Sequence, residues 1–129
     1  MRVWLYARLS NDDDREMNSL LNQREICQVF AEQHGYIIVG QSFDDNISGM
    51  SFDRRGLDEL MAAVDADKID AVIVKDLSRL GRHRTQTALF IDYLRERQVR
   101  VISATEGVDT FRDEDDLIIG VRGLMNDYY

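Results

Sequence analysis

Apolar positions along the chain follow two periods that take turns, one strand-like and one of three and four residues. Arg2-Val3-Trp4-Leu5-Tyr6-Ala7-Arg8-Leu9-Ser10 is a β-favouring run that reads as a buried strand and ends on an arginine and a serine. Side chains two apart in a strand share a face, so Tyr6, Arg8 and Ser10 are expected to point the same way. After the polar Asn11-Asp12-Asp13-Asp14, Ser19 is a candidate cap for a helix with Leu20, Ile26, Cys27 and Phe30 on one face, stopped by His34-Gly35. Residues 36–44 read as a second strand and 45–51 as a loop. Past Asp53, Leu57, Leu60, Met61 and Val64 keep the spacing of an amphipathic helix. Ala71-Val72-Ile73-Val74 is a short unbroken apolar run, the mark of a strand buried on both faces.

A polar, Arg-rich loop from Lys75 leads to a helix over 85–97 with Ala88, Ile91 and Leu94 inward, and then to a strand over 99–104. Residues 106–116 make an acidic connection. In 117–129, Leu117, Ile118, Val121, Leu124 and Met125 form a helical stripe that reaches the last residue without a cap, as the start of a longer helix would. Alternating strands and helices predict an α/β fold in three layers: a mostly parallel sheet of about four to five strands with helices on both faces, joined by right-handed crossovers.

At 129 residues and 44% apolar content, the chain is sized for one domain. It contains no apolar stretch long enough for a bilayer and no charged-then-apolar leader, so a soluble, intracellular protein with no membrane partner is expected. Cys27 is the sole cysteine, which excludes an internal disulfide and a Cys-rich metal site; it is expected to pack as a small hydrophobe. The net charge of −8 argues against a polyanion partner, but it is unevenly spread. Residues 1–71 hold 7 basic and 14 acidic side chains and residues 101–129 hold 2 and 7, whereas residues 72–100 hold 7 and 3. A basic block in an acidic domain reads as a focused anion site.

Several chemistries are missing from the pattern. There is no GxxxxGK loop, no GxGxxG and no HExxH, and His34 and His83 are not at ligand spacing. What remains is serine plus arginine: Arg8 and Ser10 at the exit of the first strand, Arg54 and Arg55 before the second helix, and Arg79, Arg82 and Arg84 after the third strand. In a parallel sheet the ends of strands one and three lie on one edge, where these groups can converge. Arg79 and Arg82 are one helical turn apart, which would aim both at one spot. Clustered guanidiniums repel one another unless an anion joins them, and their forks match phosphate oxygens. The pattern therefore indicates phosphoryl chemistry or phosphate binding, without naming a substrate.

Three motifs in register go further. Tyr6-Ala7-Arg8-Leu9-Ser10, then Ser48-Gly49 with Asp53-Arg54-Arg55-Gly56-Leu57, then Asp76-Leu77-Ser78-Arg79-Leu80-Gly81-Arg82 together resemble the catalytic domain of the serine site-specific recombinases, the resolvase/invertase family. The third motif and the Asn126-Asp127-Tyr128-Tyr129 ending look most like the large recombinases of integrase and transposase type. The resemblance implies residues 1–116 as a resolvase-type catalytic domain and 117–129 as the start of a long oligomerisation helix, with DNA-binding domains outside this chain. It implies Ser10 as the nucleophile on a DNA phosphodiester, giving a 5′-phosphoserine link and a free 3′-hydroxyl, and strand rejoining without ATP.

By the same resemblance Arg8, Arg54, Arg79 and Arg82 would bind the scissile phosphate and stabilise its transition state. Gln23, Asp45 and Ser48 match supporting polar positions, with Asp45 and Ser48 placed in the loop after strand two, and Tyr6 packs beside the site. No metal or other cofactor is implied. Double-stranded attachment sites are the implied partner, bound mainly through the absent domains, with a homodimer or homotetramer formed by the full-length protein. A cytoplasmic, bacterial or mobile-element setting follows. Ser78 stands where small resolvases carry an aspartate, and a serine is a poor general acid; an arginine, water or Asp45 would then handle the leaving-group proton. The alternative from another class is a non-catalytic phosphate- or DNA-binding or regulatory module on the same fold.

Overall fold

The first strand, β1 (Arg2–Ser10), lies near the middle of the sheet, and the rest of the chain is laid down to either side of it. The computed structural model describes residues 1–10, 19–46, 54–81 and 84–111, and at Ser10 and Asn46 the backbone alone. Helix α1 (Leu20–Gln33) opens with the Ser19 hydroxyl accepting from the Asn22 N–H at 3.1 Å, and ends where Gly35 takes φ +70°. Strand β2 (Ile37–Asn46) follows, then α2 (Arg55–Asp65), β3 (Ala71–Val74), a 3-10 turn (Leu77–Arg79), α3 (Arg84–Glu96), β4 (Arg100–Ser103) and β5 (Val108–Asp109). Among the described residues no helix is long and apolar enough to cross a membrane.

The sheet order is β2-β1-β3-β4-β5, with β1 to β4 parallel and β5 antiparallel to β4. One face carries Val3, Leu5, Ala71, Ile73 and Ile102 against Cys27 and Ala31 of α1. The other carries Tyr6, Val72, Val74 and Val101 against Leu60, Ala63 and Val64 of α2 and Ile91 and Leu94 of α3. All four residues of β3 are buried, as helices on both faces require. At the amino end of the sheet, Arg2 reaches Asp70 through its backbone N–H at 2.8 Å and its guanidinium at 3.0 Å, tying β1 to the approach of β3.

Four expectations are corrected. Strand β2 extends past Asp44 because it stays paired with β1 as far as Ser10 opposite Asn46, so Asp45 is a strand residue and not part of a loop. In α3, Ala88 is exposed: the covered stripe runs through Thr87, Phe90, Ile91 and Leu94, since Gly81 packs on the first turn at Gln86 and Thr87. The expected acidic connection contains β5, reached through a tight turn in which Gly107 adopts φ +66° and donates to the Ser103 carbonyl at 3.0 Å. In α1 the fully covered positions are Gln23, Cys27 and Ala31, with Leu20, Ile26 and Phe30 only half-buried. The helix expected over 117–129 lies outside the described residues.

Candidate active site

Strand β1 outruns its neighbour. It pairs with β2 as far as Ser10 but with β3 only from Val3 to Leu5, because β3 is four residues long. Past Leu5 the backbone groups that face β3 must find other partners or remain buried at a cost. At Arg8 they find side chains. The Gln23 amide, wholly buried on α1, donates to the Arg8 carbonyl at 2.8 Å and accepts from the Arg8 N–H at 3.2 Å. One carboxamide thus stands in for the peptide of an adjacent strand. Arg79 Nη1 donates to the same carbonyl at 2.8 Å.

The return contact closes a clasp between two buried arginines. Arg8, 8% exposed, donates from Nη2 to the Ser78 carbonyl, while Arg79, 4% exposed, holds the backbone of Arg8. Each guanidinium fixes the segment that carries the other. A buried charge needs a counter-charge, and Arg79 has Asp76, whose Oδ2 lies 3.2 Å from Nη2 and 3.3 Å from Nε. Asp76 also caps the 3-10 turn, accepting from the Ser78 N–H at 3.1 Å and from the Ser78 hydroxyl. The 3-10 turn ends at Arg79, and the expected aiming of Arg79 and Arg82 at one spot reaches outside the described residues.

A carboxylate that the sequence reading passed over organises the other wall. Asp44, 1% exposed, accepts from the Tyr6 hydroxyl at 2.7 Å and from the N–H groups of Gly56 and Leu57 at 2.7 and 2.9 Å. It caps α2 across space, where a negative charge on free N–H groups is favourable. The residue at the N-cap position itself, Arg54, makes no side-chain cap bond and stays exposed. Gly56 permits the approach, since a Cβ there would lie 2.4 Å from the Phe43 carbonyl oxygen. The Ser42 hydroxyl accepts from Trp4 Nε1 at 2.9 Å and donates to the Gly56 carbonyl at 2.7 Å, extending the same tie.

These elements enclose a groove of about 390 Å³ at the carboxyl ends of the strands, lined by Tyr6, Arg8, Asp44, Arg54, Arg79 and Leu80 among others. It sits where the strand order reverses, between β1 and β3, the place at which open α/β sheets hold their ligands. Three of the four arginines that the resemblance assigned to the phosphate therefore line one groove, with Tyr6 beside them. Gln23 acts from behind, through the backbone of Arg8. Ser78 is exposed with its hydroxyl on Asp76, and Asp45 is exposed, paired opposite Leu9 rather than Arg8. Neither lines the groove. The side chain of Ser10, and residues Ser48, Arg82 and His83, lie outside what is described.

Cys27 packs under α1, and burial, reinforced by Asp76, pushes its thiol up to about 12, which removes it as a nucleophile near neutral pH. Among the described residues no group of three or more His, Cys, Asp or Glu is placed to hold a metal ion. A larger hollow of about 630 Å³ opens on the α1 side over Leu5, Ala7 and Cys27, with the exposed Arg24, Arg55 and Glu59 on its lining.

The family model described as Resolvase, N terminal domain, matches residues 3–129. Transposon Tn3 resolvase of Escherichia coli is 29% identical over 121 residues, 94% of this chain and 60% of that protein. The serine recombinase Gin of Escherichia phage Mu is 36% identical over 105 residues, 81% of this chain and 48% of its own length. This chain thus spans about half to three fifths of those relatives. A resolvase family site-specific recombinase from Streptococcus pneumoniae has a TM-score of 0.79 at 27% identity, covering 99% of this chain and 87% of that one. The N-terminal catalytic domain of TP901-1 integrase shares the fold, with a TM-score of 0.78 at 23% identity over 99% of this chain and 95% of that one.

Proposed function

The chain belongs to the resolvase N-terminal domain family of serine recombinases, and on that premise we propose that it cleaves and rejoins DNA through Ser10. The observation that carries this reading is the meeting of Arg8, Arg54 and Arg79 in one groove at the carboxyl end of the strand on which Ser10 stands. The Ser10 oxygen attacks the scissile phosphorus and gives up its proton; the bond from phosphorus to the 3′-oxygen breaks, and that oxygen takes up a proton. The arginines hold the non-bridging oxygens and offset the charge that builds on them. By the family resemblance Arg82 and Ser48 would share in this step. Ser78, with its hydroxyl committed to Asp76, does not serve as the acid; the 3′-oxygen is protonated by an arginine or by water. The phosphoserine link stores the energy of the broken bond, so the reversed attack by a 3′-hydroxyl reseals the strand without a nucleotide cofactor.

In the same proposal residues 1–116 are the catalytic domain and 117–129 begin the helix through which subunits pair, with DNA gripped mainly by further domains. The net charge of −8 supports a division of labour in which this domain does chemistry and adds little to affinity. The test is a covalent adduct between full-length protein and duplex DNA carrying the ends of its mobile element. Wild type is expected to form it, Ser10→Ala to form none, and Arg79→Ala to fold but cleave poorly. Adduct in Ser10→Ala removes Ser10 as nucleophile; DNA or phosphate binding with no adduct in wild type supports a non-catalytic module.

A further inference from the structure

The arginine site hangs on a loop with little internal structure. Residues 75–80 carry Arg79 and offer the Ser78 carbonyl to Arg8, yet they contain only a three-residue 3-10 turn. The turn between β4 and β5 holds this loop from outside. Thr105 donates to the Lys75 carbonyl through its backbone N–H at 3.0 Å and its hydroxyl at 2.6 Å. Glu106 Oε1 accepts from the Leu77 N–H at 2.9 Å and from the Ser103 hydroxyl at 2.7 Å, so the carboxylate is itself held in place. A bond from a backbone N–H to a carboxylate is roughly twice as strong as one to a neutral acceptor. Leu77 lies two residues before Arg79, and its side chain is buried in the core. Glu106 and that packing together fix where the 3-10 turn starts.

We propose that Glu106 is a positioning residue for DNA cleavage, acting through Leu77 to set Arg79 and the Ser78 carbonyl against Arg8 without itself lining the groove. The inference rests on the recombinase reading above. A misplacement of about 1 Å in a catalytic group costs on the order of a hundredfold in rate. Glu106→Ala in the full-length protein is therefore expected to slow single-turnover adduct formation about a hundredfold, with the dissociation constant for DNA unchanged. Glu106→Gln keeps an acceptor oxygen in the same place and is expected to stay within a few-fold of wild type. In an Arg79→Ala background Glu106→Ala should cost little more, because residues acting as one unit do not add.

Glu106→Ala cleaving at the wild-type rate, Glu106→Gln falling as far as Glu106→Ala, or losses that multiply in the double variant would each overturn the inference. Should Glu106→Ala fail to fold, Glu106→Asp, which withdraws the oxygen by one methylene, carries the same comparison. A second readout does not need activity. The Arg79 Nε–Hε resonance is expected to shift in Glu106→Ala and not in Glu106→Gln, and an unmoved resonance refutes positioning whatever the cleavage rate. A wild type that forms no adduct overturns the recombinase reading, and the resonance then still decides whether Glu106 sets Arg79.

Discussion

Replacing Gln23 by leucine tests the idea that a side chain has taken the place of a strand. The substitution keeps the volume nearly constant in a site with no exposure, so a cavity contributes little. It removes two hydrogen bonds at once, at 2.8 and 3.2 Å, and their fates differ. The Arg8 carbonyl keeps Arg79 Nη1, so its loss is one ordinary bond, about 1 kcal/mol. The Arg8 N–H loses its acceptor in a buried position, which costs about 1 to 3 kcal/mol. The greater apolarity of leucine returns about 1 kcal/mol, leaving a net loss of about 1 to 3 kcal/mol. Urea unfolding of the 129-residue chain, followed by far-ultraviolet circular dichroism with the slope checked for constancy, measures it. Because the damage falls where Arg8 is aimed, adduct formation by the full-length protein should drop as well. A Gln23→Leu protein within about 0.5 kcal/mol of wild type, the range of an ordinary surface change, would mean that Arg8 does not depend on Gln23 and that the strand-surrogate reading is wrong.

Other substitutions probe the neighbouring ties. Gly56→Ala puts a Cβ 2.4 Å from the Phe43 carbonyl oxygen, so α2 must back away from Asp44; a loss of about 1 to 3 kcal/mol in urea unfolding is expected, and a neutral result would show that the helix start is free to shift. Hydrogen bonds from Arg2 hold the Asp70 carboxyl below its ordinary range. Its folded value being depressed, the pair's stabilisation is present above the unfolded carboxylate value of about 4 and is lost as the pH falls through the folded one. The stability gap between wild type and Asp70→Asn should therefore narrow as urea titrations step down in pH from 7, and a constant gap would contradict the pairing. It should be small and salt-sensitive, since both side chains are 43% exposed. Cys27, its thiol raised to about 12 by burial, should resist a thiol reagent at pH 8 in the folded protein and react at once in denaturant; rapid labelling of the native state would place it at the surface.

What the sequence disclosed and what it withheld divide along a physical line. Local patterns were readable: β1 and β3 have the expected bounds, and Ser19 caps α1. The meeting of Arg8 with Arg79 was also readable, because strand order in a parallel sheet brings those ends to one edge. The parity of β2 was not. The register between β1 and β2 slips between Val3 and Trp4, so that Trp4 faces Gly40 and Val39 is passed over. A one-residue slip moves every later side chain to the other face. With it, Asp44 rather than Phe43 stands beside Arg8, and Asp45 falls opposite Leu9 on the other face, so the carboxylate that bonds Tyr6 is one the sequence did not single out. Gly40 makes the slip possible by leaving room for the Trp4 ring, but a lone glycine in a strand does not announce a bulge. The role of Gln23 was likewise hidden, since it depends on β3 being shorter than β1.

The overhang of β1 past β3 also divides the strand in time. From Val3 to Leu5 it is secured on both edges by neighbouring strands, and those amides exchange with solvent only when the sheet opens. At Arg8 the inner edge is secured by an amide group on rotatable bonds and by a guanidinium, which can let go by rotamer changes with the core intact. Hydrogen exchange at the Arg8 amide would therefore record its release by Gln23 rather than the unfolding of the domain. Within one continuous strand, the half that carries Arg8 can rearrange on a schedule of its own.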